Sequence, residues 1–165
     1  MKKKFRLDGS VRKGLSYGVV SGVVTTLGLL IGLIGSGASK NTAIAGVLTI
    51  AFADALSDSL GMHVSEESNK NSTNRQIWRA TISTAVGKMV FGLSFVLPIV
   101  VMPITLAVIV DMVWGIIALS VISYVIAKNN KEKVSSVLIE HIGITIIVVI
   151  GSFLIGKLIN IFMLS

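Results

Sequence analysis

The sequence contains no cysteine. Disulfides, thiolate metal sites and iron–sulfur clusters are therefore excluded, while the redox compartment stays open. Charge is also scarce. Only 14% of the 165 residues are Asp, Glu, Lys or Arg, against about 25% in a typical soluble domain. Acidic residues number eight, and the two prolines are Pro98 and Pro103. No polar stretch is long enough to fold as a separate soluble domain. The longest polar connection, residues 66–79 (EESNKNSTNRQIWR), has no aromatic cluster and too few carboxylates to make a metal-binding domain by itself.

Apolar side chains are what the sequence has in abundance: 53% of residues are hydrophobic, and the mean hydropathy is +0.86. Several runs of roughly 20 apolar residues are each long enough to cross a bilayer. The expected fold class is all-α integral membrane, with five transmembrane helices. Residues 1–13 read as a basic arm and residues 14–165 as one five-helix transmembrane domain. Spans are expected at 14–36, 42–64, 80–97, 104–127 and 134–162. A cleaved signal peptide is the competing reading of residues 1–36. The apolar run from Ser16 to Ile34 is longer than the usual h-region of about 7 to 15 residues, so a retained first span is expected.

The formal net charge is +7. In a soluble protein this would suggest nucleic acid. Here the bases sit in the short connections between apolar runs, which points to membrane topology and lipid headgroups instead. Lys2, Lys3, Lys4, Arg6, Arg12 and Lys13 precede span one. Lys70, Arg75 and Arg79 lie between spans two and three, and Lys128, Lys131 and Lys133 between spans four and five. The opposite connections offer only Lys40. The positive-inside rule puts the N-terminus in the cytoplasm and the C-terminus outside, or in an organelle lumen, and a multi-pass protein of the cell membrane is expected. Trp78 reads as an interface anchor.

Span one repeats glycine every fourth residue at Gly14, Gly18 and Gly22, followed by Gly28 and Gly32. Small residues at that spacing let a second helix approach closely, so these positions are expected to form a packing seam.

Span two carries the stretch 53–67, ADALSDSLGMHVSEE. Its Asp54, Asp58, Met62 and Glu66 recur every fourth residue and line one helix face. Intramembrane carboxylates cost about 2.5 to 3.5 kcal/mol each on translocon scales and mark function by default. Counting from the turn near Ser39 and Lys40 puts Asp58 level with Ser21, roughly 28 Å of helix from the turn. Asp54 then faces the level of Thr25 and Thr26. Ser21, Thr25, Asp54 and Asp58 are expected to form one polar cluster, which Met62 and Glu66 continue towards the cytoplasm. Close like charges in a low dielectric raise each other's pKa, so one proton is expected at the pair, and a divalent cation would displace it. Oxygen ligands suit Mg²⁺, Ca²⁺ or Mn²⁺, and a nearby thioether or imidazole tilts the choice towards Mn²⁺ and Fe²⁺. A hydroxyl–carboxylate packing cluster is the structural alternative.

Lys88 and Asp111 lie on either side of the Pro98–Pro103 turn, offset by roughly 3 Å. A buried ion pair between spans three and four is expected. Glu140 and His141 read as solvated interface residues, with an entrance ligand pair as the alternative.

The first span, YGVVSGVVTTLGLLIGLIGS, and the second, AGVLTIAFADALSDSLGMHVSEES, together with the five-span plan, resemble the vacuolar iron transporter family. The resemblance implies export of Fe²⁺ and Mn²⁺ from the cytoplasm in exchange for protons, and a homodimer with the pathway at the subunit interface. It also implies differences. Ser21 stands where family members carry an aspartate before the glycine, here Gly22. Asp58 stands where they carry a metal-binding methionine after a serine, here Ser57. Asp54 matches an aspartate that many members carry. Ile50 stands at a glutamate of the plant members, whose long glutamate-rich cytoplasmic segment is reduced here to the short connection after Glu67.

The expected function is thus a divalent transition-metal transporter, not an enzyme, with Asp58 and Asp54 as main ligands and Ser21 and Thr25 as supporting oxygens. Met62 and Glu66 would form the inner entrance. No permanently bound cofactor and no nucleic acid are expected. Partners would be the metal ions, the bilayer and a second copy of the chain. The alternatives are a non-transporting membrane scaffold or assembly protein and a transporter of a different cation. An intramembrane enzyme fits less well. Asp54-x-x-x-Asp58 matches the end of the lipid-headgroup phosphotransferase motif, but the preceding Asp-Gly and Ala-Arg elements are missing, as are paired YD and GxGD protease motifs.

Overall fold

The computed structural model describes residues 8–163, and lysines 2–4 and Arg6 of the basic arm lie outside that range. The described residues form six helices: α1 (Gly9–Gly35), α2 (Lys40–Glu67), α3 (Asn74–Ser94), α4 (Val96–Val101), α5 (Ile104–Asn130) and α6 (Val134–Met163). Five stretches are long and apolar enough to cross a membrane, with α3 and α4 together making one of them. This is an all-α, multi-pass membrane protein. A helix the length of α1 measures about 40 Å, enough to cross a hydrocarbon core of roughly 30 Å.

Local chemistry sets the helix ends. The Asp8 carboxylate accepts from the Ser10 N–H at 3.0 Å to cap α1, and the Ser39 hydroxyl caps α2 through Thr42. Thr73 and Gln76 form a reciprocal capping box on α3. Between α1 and α2 the chain turns through Gly37, whose φ of 78° disfavours a side chain.

Pro98 explains the break between α3 and α4. It has no N–H to donate to the Ser94 carbonyl one turn back, so the helix is interrupted at Phe95. In the first turn of α4 proline is tolerated, and the chain stays helical to Val101. The turn into α5 is therefore only Met102 and Pro103, not the whole Pro98–Pro103 segment expected from the sequence.

Helix α1 is the hub. Of its membrane-spanning window 56% is buried, against 11% for α6. Its first half lies on α3 through Gly14, Gly18 and Gly22, which face the backbone of Ala80, Thr84 and Lys88. A Cβ on Gly22 would come within 2.9 Å of the Lys88 carbonyl oxygen, and one on Gly14 or Gly18 would collide more severely. Its second half lies on α6. There a Cβ on Gly35 would stand 2.8 Å from the Phe153 carbonyl oxygen. Helix α2 turns a stripe of small residues inward, Ala43, Ala51 and Ala55 among them. The core is completed by Val23, Leu27, Leu30, Phe95, Ile99 and Leu119.

Candidate functional site

The tight α1–α3 contact brings three helices to one point. Ser21 comes from α1, Asp54 and Asp58 from α2, and Lys88 from α3. The Lys88 ammonium donates to Ser21 Oγ at 2.9 Å and to Asp58 Oδ2. It also stands 2.6 Å from Asp54 Oδ2. That last contact is an ion pair by distance without hydrogen-bond alignment, since Asp54 Oδ2 accepts no hydrogen bond among the described residues. Ser21 Oγ in turn donates to Asp58 Oδ2 at 2.6 Å. The Lys88 side chain is 2% exposed, while those of Asp54 and Asp58 are 28% and 20% exposed. Two carboxylates and one ammonium leave the cluster with one formal negative charge.

Lys88 therefore does not pair with Asp111, which corrects the expected ion pair. The reason is the length of helix beyond Pro98. Placing the turn at Met102 and Pro103 leaves Lys88 about 9 Å further from it along the helix axis than Asp111 is. Asp111 is fully buried on α5, and among the described residues neither of its carboxylate oxygens has a hydrogen-bond partner.

Thr25 stands near the cluster, but its hydroxyl donates to the Ser21 carbonyl of its own helix at 2.9 Å. Thr25 also lines a groove of about 830 Å³ between α1 and α2, together with Thr42, Thr49, Asp54 and Ser57. The groove gives the partly exposed Asp54 its outlet. Tyr17, one turn before Ser21, adjoins Asp58; its place on the Ser21 face of α1 was the available signal, and sequence reasoning passed over it.

Further along α2, Met62 and Glu66 are both buried. Glu66 is paired with Lys13 of α1 and accepts from the Ser72 hydroxyl at 3.0 Å. His63 lies on another face, 3.1 Å from the Thr81 hydroxyl and edge-on to Trp78. Glu67 is exposed. Glu66 follows Asp58 by eight residues, about 12 Å of helix, so the two acids are separate stations. His141 bonds the buried Ser123 hydroxyl at 2.8 Å, while its neighbour Glu140 is exposed.

Among the described residues no three His, Cys, Asp or Glu side chains converge as a ready-made metal site. The two converging aspartates are instead bridged by an ammonium. The missed partner was legible by the same depth count used on the first hairpin. Asp54 precedes the middle of the α2–α3 connection by nearly as many residues as Lys88 follows it.

The chain matches no protein-family model and no curated protein sequence.

Proposed function

We propose that the chain is a membrane transporter that exports a divalent transition-metal cation, Fe²⁺ or Mn²⁺, from the cytoplasm in exchange for protons. Asp54 and Asp58 are the ligands, Ser21 and Thr25 the supporting oxygens, and Met62 with Glu66 the inner entrance. One observation carries this reading: two carboxylates from one α2 face converge on a single cation, Lys88, at the edge of a groove within the spans. Intramembrane charges that pair across helices beside a cavity mark ion pathways. Lys88 then acts as a tethered monovalent stand-in. It holds the carboxylates together when the site is empty and withdraws when a divalent cation, which neutralises both, arrives. The Lys13–Glu66 pair would similarly close the inner entrance between cycles.

The same groove supports assembly as a homodimer. Asp54 and Asp58 are partly exposed on a lateral face, and carboxylates facing lipid directly are costly. A second copy laid over α1 and α2 removes them from lipid. The cargo and the dimer are what the resemblance of the first two spans to the vacuolar iron transporter family would imply, and no family-model match accompanies that resemblance.

A second reading has its own support. Lys88 directs its ammonium to Ser21, Asp54 and Asp58 at once, as a purely structural staple between three helices would. Metal flux into proteoliposomes, measured for Mn²⁺ and Fe²⁺ on wild type and Asp58→Asn, separates the two. The transporter reading expects flux in the wild type and its loss in the variant. Absence of flux in both, with no metal-induced rise in melting temperature, leaves the staple.

A further inference from the structure

Two clefts lie along α1 and α5, lined by none of Ser21, Asp54, Asp58 and Lys88, and Phe91 of α3 bounds the deeper one. The first, about 210 Å³, sits where α1 begins and α5 ends, and is lined by Arg12, Lys13, Ser16, Asn129 and Asn130. The second, about 370 Å³, lies deeper and is lined by apolar side chains, including Leu15, Val19, Val121 and Ile122, with Trp114 at its far end. They have no lining residue in common, but they follow one another along the same two helices. On α1, Arg12, Ser16 and Val19 follow at steps of four and three; on α5, Ile122, Ile126 and Asn129 do the same. Such spacing keeps each set on one helix face. The apolar cleft therefore begins within about a single turn of the polar one, and an extended ligand can reach from one to the other.

The chemistry of the groove is that of a phospholipid's surroundings. Among the described residues no acidic side chain lines either cleft. Arg12 is exposed and makes no ion pair among the described residues. Its guanidinium offers forked donors suited to phosphate oxygens, and the Asn129 and Asn130 amides add neutral donors. Exposed Lys128, Lys131 and Lys133 raise the positive potential beside the cleft. A free anion has no use for the apolar cleft below, and a neutral lipid has no need of the uncompensated arginine.

We propose that this groove binds one anionic phospholipid from the leaflet on the N-terminal side of the bundle. Its phosphate sits among Arg12, Asn129 and Asn130. One acyl chain runs along Leu15, Val19, Val121 and Ile122 to Trp114. By the positive-inside reading this is the cytoplasmic leaflet, where anionic lipids carry the negative surface potential.

Trp114 provides the test, because Trp78 is the only other tryptophan in the chain. The full-length Trp78→Phe protein is reconstituted in phosphatidylcholine vesicles that contain either brominated phosphatidylglycerol or brominated phosphatidylcholine. Bromine quenches indole fluorescence at contact. The expected result is a preference for the anionic lipid of about fivefold per engaged basic side chain, lost in Arg12→Gln. Val121→Phe, which narrows the apolar cleft, should lower quenching by both lipids. Arg12 and Val121 are exposed, so neither substitution disturbs the core. Equal quenching by the two lipids, or a preference unchanged in Arg12→Gln, overturns the proposal. Relief of the preference by inorganic phosphate assigns the upper cleft to a free anion and also overturns it, as does unaltered quenching in Val121→Phe.

Discussion

Gly22 of α1 lies against Lys88 of α3 with no room for a methyl group. A Cβ there would stand 2.9 Å from the Lys88 carbonyl oxygen and 3.2 Å from its Cγ. The glycine thus sets the distance at which Lys88 passes Ser21 and reaches the aspartates of α2. Gly22→Ala should destabilise the protein by about 1–3 kcal/mol, the usual range for overpacking, and should weaken any metal-induced rise in melting temperature. Gly151 of α6 is the control, because nothing lies within 4 Å of a Cβ built there. Gly151→Ala should leave the melting temperature unchanged or higher. Equal effects at the two positions would show that the seam does not govern the cluster.

Lys88 is almost wholly buried and, among the described residues, is the sole cation of the cluster. Its removal leaves two carboxylates facing each other without a counter-charge. Lys88→Met should therefore cost about 3–5 kcal/mol, as expected when one member of a buried ion pair is deleted. The triple variant Asp54→Asn, Asp58→Asn, Lys88→Met should recover much of that loss, because no unpaired charge remains. Melting temperatures across the full set of single, double and triple variants measure the coupling directly. Purely additive effects would mean that the three groups do not act as a unit.

At the polar end of the bundle, Asp8 caps α1 and pairs with Arg79 of α3. The Ser10 backbone N–H first, and the Arg79 guanidinium after it, hold its carboxyl below the ordinary value of 3.8. A depressed carboxylate pKa adds stability that is fully present above the unfolded-state value. That stability is lost as pH falls through the lower, folded-state value. Wild type should accordingly lose melting temperature below about pH 4 in a step that Asp8→Asn lacks, since asparagine keeps the cap without the titration. Parallel curves for the two proteins between pH 6 and pH 3 would remove Asp8 as the source.

The five spans were legible in the sequence because bilayer thickness imposes apolar runs of fixed length. The juxtaposition of Ser21 with Asp58 was legible too, because a short turn at Gly37 fixes the relative depth of α1 and α2. Lys88 was misassigned for a local reason. Two prolines looked like the two ends of a turn, but Pro98 falls in the first turn of α4, where its missing N–H interrupts the helix without ending it. That residual helix carries Lys88 out of register with Asp111. Neither the Lys13–Glu66 pair nor the α1–α5 groove was foreseen. Both depend on how α1 is rotated among its neighbours, and a hydrophobic run with glycine on several faces does not state its rotation.

Asp111 presents the opposite situation to Asp58. It is completely buried in α5, and both carboxylate oxygens lack a hydrogen-bond partner among the described residues. Leaving such a group unsatisfied costs about 1–3 kcal/mol relative to an apolar side chain of similar shape. Nothing around it returns that energy as an ion pair, since Lys88 is engaged elsewhere. Asp111→Val, close in volume, should raise the melting temperature or leave it unchanged, whereas Lys88→Met should lower it. Metal flux separates structure from use. Flux retained in a stabilised Asp111→Val means that the transport path bypasses α5 at this level. Flux lost despite higher stability would make Asp111 a second intramembrane station, carried at the expense of the fold as charged groups within membranes commonly are when they serve a pathway.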